Sequence, residues 1–240
     1  MTTFQTISIP DPIVAIDTDG VLSHDLYREV HKAIRFAMFH STMNVGSLDV
    51  TDLDAVVDVA AQCTDLIELL ELHHHHEDDF VQALVELHAP DLAIVVETQH
   101  LTVEAGMATL RVLVSALVDA APADRQRVAH RLYLELTRFT AAYLDHQLWE
   151  EQRVMPALCR AVDVADLEAL HMELKQSIAP DVMARFMMVM LPAMNVDERV
   201  DMLGGMSMAP PPVWAIFRGA ADAALTPVQF AVVAERIGLN

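Results

Sequence analysis

Apolar residues recur along most of the chain at spacings of three and four, the mark of helices that bury one face. From Ser23 onward Tyr27, His31, Ile34 and Met38 follow at steps of four, three and four, which predicts a helix running to about Asn44 and stopped by Gly46. Ser47 to Asp52 offers several N-cap residues, and beyond it Leu66, Leu69, Leu70, Phe80 and Leu84 mark a second helix that ends at His88-Ala89-Pro90-Asp91. A third helix is predicted from about Asp91 to Ala120, with Val96, Val103 and Met107 on one stripe. The Ala121-Pro122-Ala123-Asp124 turn then starts a fourth, which carries Leu132, Leu136, Phe139 and Ala142. Turns this short make each helix run antiparallel to its predecessor. The predicted fold class is all-α: an antiparallel up-down four-helix bundle over residues 22–160, preceded by an irregular lead-in at 1–21 that contains Pro10, Pro12 and Gly20.

Beyond Arg160 the pattern shortens. Ten of the fourteen methionines lie between Met155 and Met208, and Pro180, Pro192, Pro210, Pro211, Pro212 and Pro227 interrupt the apolar stripes. Residues 161–240 are therefore expected to form a C-terminal extension of about three to five short helices packed on the bundle. Its methionines are read as flexible filling of a core rather than as a cofactor or partner surface.

Composition narrows the function classes. With 240 residues the chain has room for one large domain with an appendage. Fifteen Lys and Arg against thirty-five Asp and Glu give a net charge of −20, which repels nucleic acid and anionic membranes. No uninterrupted apolar run approaches the roughly 18 residues of a membrane span, and the first twenty residues lack the basic start of a signal peptide. Cys63 and Cys159 form neither a disulfide framework nor a zinc pattern, so a reducing, cytoplasmic location is expected. No serine-triad, phosphate-loop or nucleotide motif is present.

The twelve histidines change the picture. Three predicted helices each carry a histidine followed four residues later by a carboxylate: His73/Glu77, His100/Glu104 and His146/Glu150. A four-residue step places both side chains on one face, one turn apart. Leu66, Leu69, Phe80 and Leu84 share the face of His73, whereas Glu68, Glu71, Asp79 and Gln82 share that of His75. His73 and Glu77 are thus expected inside and His75 outside, with His74 and His76 flanking. Leu132, Phe139 and Ala142 place His146 and Glu150 inside as well, with Glu135 the one charged residue on that stripe. Counting from the helix turns at about 1.5 Å per residue, Glu77, His100 and His146 meet in one layer. The first helix adds His31 or His24. Uncompensated carboxylates in a core cost several kcal/mol each, so several that share a layer with histidines point to a metal cation.

These residues fall in the runs YREVHKAIR (27–35), ELHHHHEDDF (71–80), the isolated His100 and HQLWEEQRVMP (146–156). In combination they resemble the hemerythrin-like, HHE cation-binding family over residues 23–160. The resemblance implies a helical bundle around two non-haem irons, bridged by two carboxylates and an oxo or hydroxo group. It implies His31, His73, Glu77, His100, His146 and Glu150 or Glu151 as ligands, of which helix geometry favours Glu150; counting from the Gly46 turn favours His24 over His31, and His74 and Glu104 are further alternatives. Oxygen-carrying members have a second histidine four residues before the one on the third helix. Here that position is Val96, which leaves one iron a ligand short unless Glu97, Glu104 or His74 fills in.

A histidine-rich site suits binding or reduction of O2, hydrogen peroxide or nitric oxide, and reduction calls for a redox partner. A non-catalytic iron or oxygen sensor, a metal-free helical scaffold, or an oxygenase with Glu104 as a ligand are the alternatives. An oligomer could form through the extension.

Overall fold

The structure is a computed structural model that describes residue 22 and residues 24–239; the predicted lead-in at 1–21 lies outside the described residues. The chain is all-helical, with no strand among the described residues. Helix α1 (Arg28–Gly46) is followed by α2 (Leu53–His76), which a π-helical turn at Glu77–Val81 joins to α3 (Gln82–His88). Then come α4 (Pro90–Asp119) and α5 (Pro122–Trp149), the latter joined by a second π-helical turn at Glu150–Val154 to α6 (Met155–Ala161). The remainder forms α7 (Val164–Ser177), α8 (Pro180–Ala193), α9 (Val196–Met206), α10 (Pro211–Ala224) and α11 (Pro227–Arg236).

Local chemistry accounts for the boundaries. The Asp52 carboxylate caps α2 by accepting from the amides of Asp54 (3.0 Å) and Ala55 (3.2 Å), which otherwise have no intrahelical partner. Pro90, Pro122, Pro180, Pro211 and Pro227 each stand at the start of a helix, where the missing N–H costs nothing. Asn195 and Thr226 form capping boxes with Glu198 and Gln229.

Helix α1 contacts α2 and α5, and α4 contacts α2 and α5, so the four long helices close a ring. Their apolar faces form two buried groups. One holds Met38, Leu70, Val103, Leu136 and Tyr143. The other holds Tyr27, Val81, Val96, Val154 and Met155. His73, His100 and His146 lie in sequence between members of these two groups, which sandwich them as a polar layer. A third group joins α8, α9, α10 and α11 to Ala33 of α1, and α8 packs directly on α1.

Two expectations need correction. On α5 the buried stripe runs Leu132, Leu136, Phe139, Tyr143, His146, while Ala142 is exposed. The 3.6-residue turn carries the stripe to position 143 instead. Second, α4 is long and apolar enough by composition to cross a membrane, which counting uninterrupted runs did not reveal. Its buried residues, among them Val96, Val103, Met107 and Leu110, are spent on the core, whereas Ile94, Leu101 and Val112 are exposed.

Gly106 permits the contact of α4 with α5: a Cβ there would stand 2.5 Å from Phe139 Cδ2. Phe139 is itself buried. Gly106→Ala is expected to lower stability by about 1–3 kcal/mol in chemical denaturation, overpacking outweighing the helix propensity gained. At Gly219 of α10 nothing lies within 4 Å of such a Cβ. Gly219→Ala should therefore raise stability by about 0.5–1 kcal/mol in the same assay.

Candidate metal centre

Four helices deliver six side chains to one layer. His31 comes from α1, His73 from the last turn of α2, His100 from α4 and His146 from the last turn of α5. Glu77 and Glu150 each open a π-helical turn four residues after His73 and His146. In both turns the hydrogen bond widens to a five-residue step: the Gln82 amide donates to the Glu77 carbonyl, and that of Met155 to the Glu150 carbonyl. Such bulges cost helix regularity and concentrate at functional sites. Pro156 accounts for the second, because it has no N–H for Gln152 and its ring would collide with that carbonyl in an α-helix. Nothing in the sequence marks the first.

All six residues are buried. Their inward atoms divide by distance into two sets. Glu77 Oε1 lies 3.1 Å from His73 Nε2 and 3.8 Å from His31 Nε2, and Glu150 Oε2 lies 3.4 Å from His31 Nε2. On the other side, Glu77 Oε2 is 3.6 Å from His100 Nε2. Glu150 Oε1 is 3.3 Å from His146 Nε2 and 3.7 Å from His100 Nε2. The second side gathers two imidazole nitrogens and an oxygen of each carboxylate, whereas on the first side Glu150 approaches His31 alone and the group is His31, His73 and Glu77; Glu77 joins the two. Six of these atoms, namely Nε2 of His31, His73 and His100, both Glu77 oxygens and Glu150 Oε2, are buried without a hydrogen bond. Orphaned polar atoms of this kind cost roughly 1–3 kcal/mol each. This buried His/Glu cluster can hold a metal ion: His31, His73 and Glu77 offer ligand atoms within 4.8 Å of one another, as do Glu77, His100, His146 and Glu150.

The outer ring nitrogens are held too. His31 Nδ1–H donates to Glu151 Oε1 (2.9 Å), His100 Nδ1–H to Asp78 Oδ1 (3.3 Å) and His146 Nδ1–H to Gln99 Oε1 (3.1 Å). Each partner is an oxygen acceptor. The proton therefore sits on Nδ1, and the Nε2 lone pair points inward, as a metal ligand requires. Arg35 grips both Glu151 oxygens (2.7 and 3.0 Å) and fixes that carboxylate.

The sequence alternatives fall outside the cluster. His24 Nε2 hydrogen-bonds His171 Nδ1 at 2.9 Å. Glu104 accepts from His74 Nε2 at 3.0 Å, and its carboxylate is half exposed. Glu151 stands behind His31. His74, Asp78 and His100 form a third, partly exposed group beside the layer. His75 is exposed, with Nδ1 on the Glu71 carbonyl, and Glu135 pairs with Arg138. Val96 sits in the apolar group next to the layer. The donor groups are unequal, three residues on the His31/His73 side against four on the His100/His146 side, so one side is a donor short, as expected, although the shorter side is not the one that holds His100. Arg35, Asp78 and Gln99 were not anticipated, although each lies one residue or one turn from a histidine or glutamate that was.

Without a cation the electrostatics are unbalanced. Burial pushes the Glu150 carboxyl well up, and the charges of Glu77 and Glu151 push it further. Burial works against ionised Glu77 too, but the neighbouring imidazoles, His73 foremost and then His31, outweigh it and hold this carboxyl well below its usual range. Burial drives His146 down to about 3, against a smaller opposing pull from Glu77. Comparisons of the chain with family models, curated proteins and solved structures give no match.

Between pH 6.5 and about 3 the unfolded chain protonates position 146 while the folded metal-free protein keeps it neutral. Its contribution to stability is thus present above pH 6.5 and lost as the pH falls toward 3, at a slope of up to about 1.4 kcal/mol per pH unit. Denaturant midpoints of metal-free protein across this range should fall less steeply in His146→Gln. Parallel profiles would show that His146 is not held neutral.

Proposed function

We propose that the chain is a hemerythrin-like protein whose ring of helices is an antiparallel up-down bundle holding two non-haem irons. In this reading it binds or reduces O2, hydrogen peroxide or nitric oxide. The observation that carries the reading is the pair of adjacent buried donor groups, His31, His73 and Glu77 on one side and Glu77, His100, His146 and Glu150 on the other, joined by Glu77. One ion would take His31 and His73 and the other His100 and His146, with both carboxylates shared. Imidazole and carboxylate suit several first-row metals, and the resemblance selects iron among them. When bound, iron supplies one-electron redox chemistry and an electrophilic centre for a small ligand.

The chain's own residues prepare that centre. Glu151, Asp78 and Gln99 keep three imidazoles in the ligating tautomer, and the two apolar groups above and below exclude bulk water. Tyr27 stacks on His31 and Tyr143 meets His146 edge-on, so neither ring can turn away. Burial, with the charges of Glu150 and Glu77, holds both phenols well above their ordinary range, so they remain protonated. The oxygenase alternative needs Glu104 at the centre, but that carboxylate is engaged with His74 at the surface.

Metal analysis of protein from iron-replete cells should give close to two irons per chain, with a near-ultraviolet charge-transfer band. Stoichiometric zinc without iron would sink the reading. Glu77→Gln is expected to strip both irons, because one side chain serves both sets, whereas Glu104→Gln should keep both. Loss of one iron in Glu104→Gln would instead revive the oxygenase.

His73→Ala should lower metal content and the melting temperature together, since metal bound only to the folded state adds to its stability. His75→Ala should change neither. Equal effects at the two positions would place the wrong face of α2 inside.

A further inference from the structure

A cavity of about 570 Å3 lies between the first two helices and the extension. Its inner wall includes Tyr27, His73 and Glu77, so it abuts one of the two donor sets. Its sides are apolar: Met183, Met190, Met202 and Met206, with Phe186 and Phe217. Charges gather on residues nearer the surface, where Asp25, Glu29 and Asp201 face a single ammonium, that of Lys175. The volume falls within the roughly 300–1,000 Å3 of sites that take organic ligands, and far exceeds the ~30 Å3 share of one water. A diatomic or a peroxide has no use for that space. Five methionines on the wall, Met172 being the fifth, suit a ligand, because their unbranched, polarisable side chains remodel around apolar shapes. The acidic border, on a chain of net charge −20, repels anions.

We propose that this cavity binds an apolar organic molecule with a neutral or cationic head, and that the methionine-rich extension exists to build its wall. That this molecule is a substrate or effector of the metal pair rests on the function proposed above. Its binding does not. The extension thereby acquires a purpose that a plain oxygen carrier lacks, and the chemistry at His73 and Glu77 acquires an organic partner held beside it.

Three eight-carbon probes with different heads, octan-1-ol, octylamine and octanoate, test this by calorimetry on the full chain, with iron measured in the same sample. Octan-1-ol and octylamine are expected to bind at least about tenfold more tightly than octanoate, as a charge mismatch at a partly screened site implies. Met206→Trp should fill the cavity and weaken the two favoured probes by about tenfold or more. Asp201→Lys, at an exposed position of α9, should narrow the discrimination against octanoate without disturbing the fold.

Octanoate binding as tightly as octan-1-ol, binding untouched by Met206→Trp in a folded variant, or discrimination untouched by Asp201→Lys would overturn the proposal. A sample with two irons that binds none of the probes overturns the cavity proposal alone. A sample that binds octan-1-ol as expected but holds no metal supports the cavity and overturns the metal reading.

Discussion

The cost of placing four imidazoles and two carboxylates in one dry layer governs this structure. Six of their inward atoms have no hydrogen bond, and a partnerless buried polar atom costs more than a typical intramolecular hydrogen bond returns. Without a cation the layer is unbalanced: His73 and His31 hold the Glu77 carboxyl below its usual range, while burial and the charges of Glu77 and Glu151 push that of Glu150 well up. A sequence retains such an arrangement when something positive completes it. The apolar groups on either side then act as walls that keep water from satisfying the same atoms.

Holding the layer in register requires specific devices. The two π-helical turns begin at the two glutamates of the cluster, Glu77 and Glu150, and a five-residue hydrogen-bond step shifts all that follows by one position relative to an unbroken helix. Behind the imidazoles, Glu151, Asp78 and Gln99 fix the tautomer, and Arg35 fixes Glu151 in turn. The result resembles the support that metal ligands receive elsewhere, in which the outer hydrogen bonds orient the inner ones.

The extension is more than a lid on the bundle. Through α8 it buries part of α1 and meets Ala33, two residues from His31. Ion pairs tie it down at Lys32 with Glu198 and at Arg185 with Glu68. It leaves a methionine-lined space on the side of His73 and Glu77. The methionines thus divide between two tasks: Met187 and Met194 fill the core of the extension, while Met183, Met202 and Met206 border the cavity. Reading them as core filling alone captured the first task.

Periodicity determined the helices and most of their ends, because capping carboxylates, prolines and a 3.6-residue apolar stripe are local properties written in adjacent residues. The same stripe placed His73 inside and His75 outside, and four-residue spacing paired Glu77 with His73 and Glu150 with His146, but not Glu104 with His100, since Glu104 meets His74 instead. What spacing left open was decided between helices. His31 is at the layer while His24 is bound to His171, and Glu150 faces inward while Glu151 stands behind His31. Those choices depend on the rise and roll of one helix against another, where an error of two residues moves a side chain by about 3 Å. The pairing of Asp78 and Gln99 with histidines 22 and 47 residues away in the chain, the π turn at Glu77 and the cavity have the same origin. Each is a relation between surfaces that meet only on folding, and no local pattern encodes it.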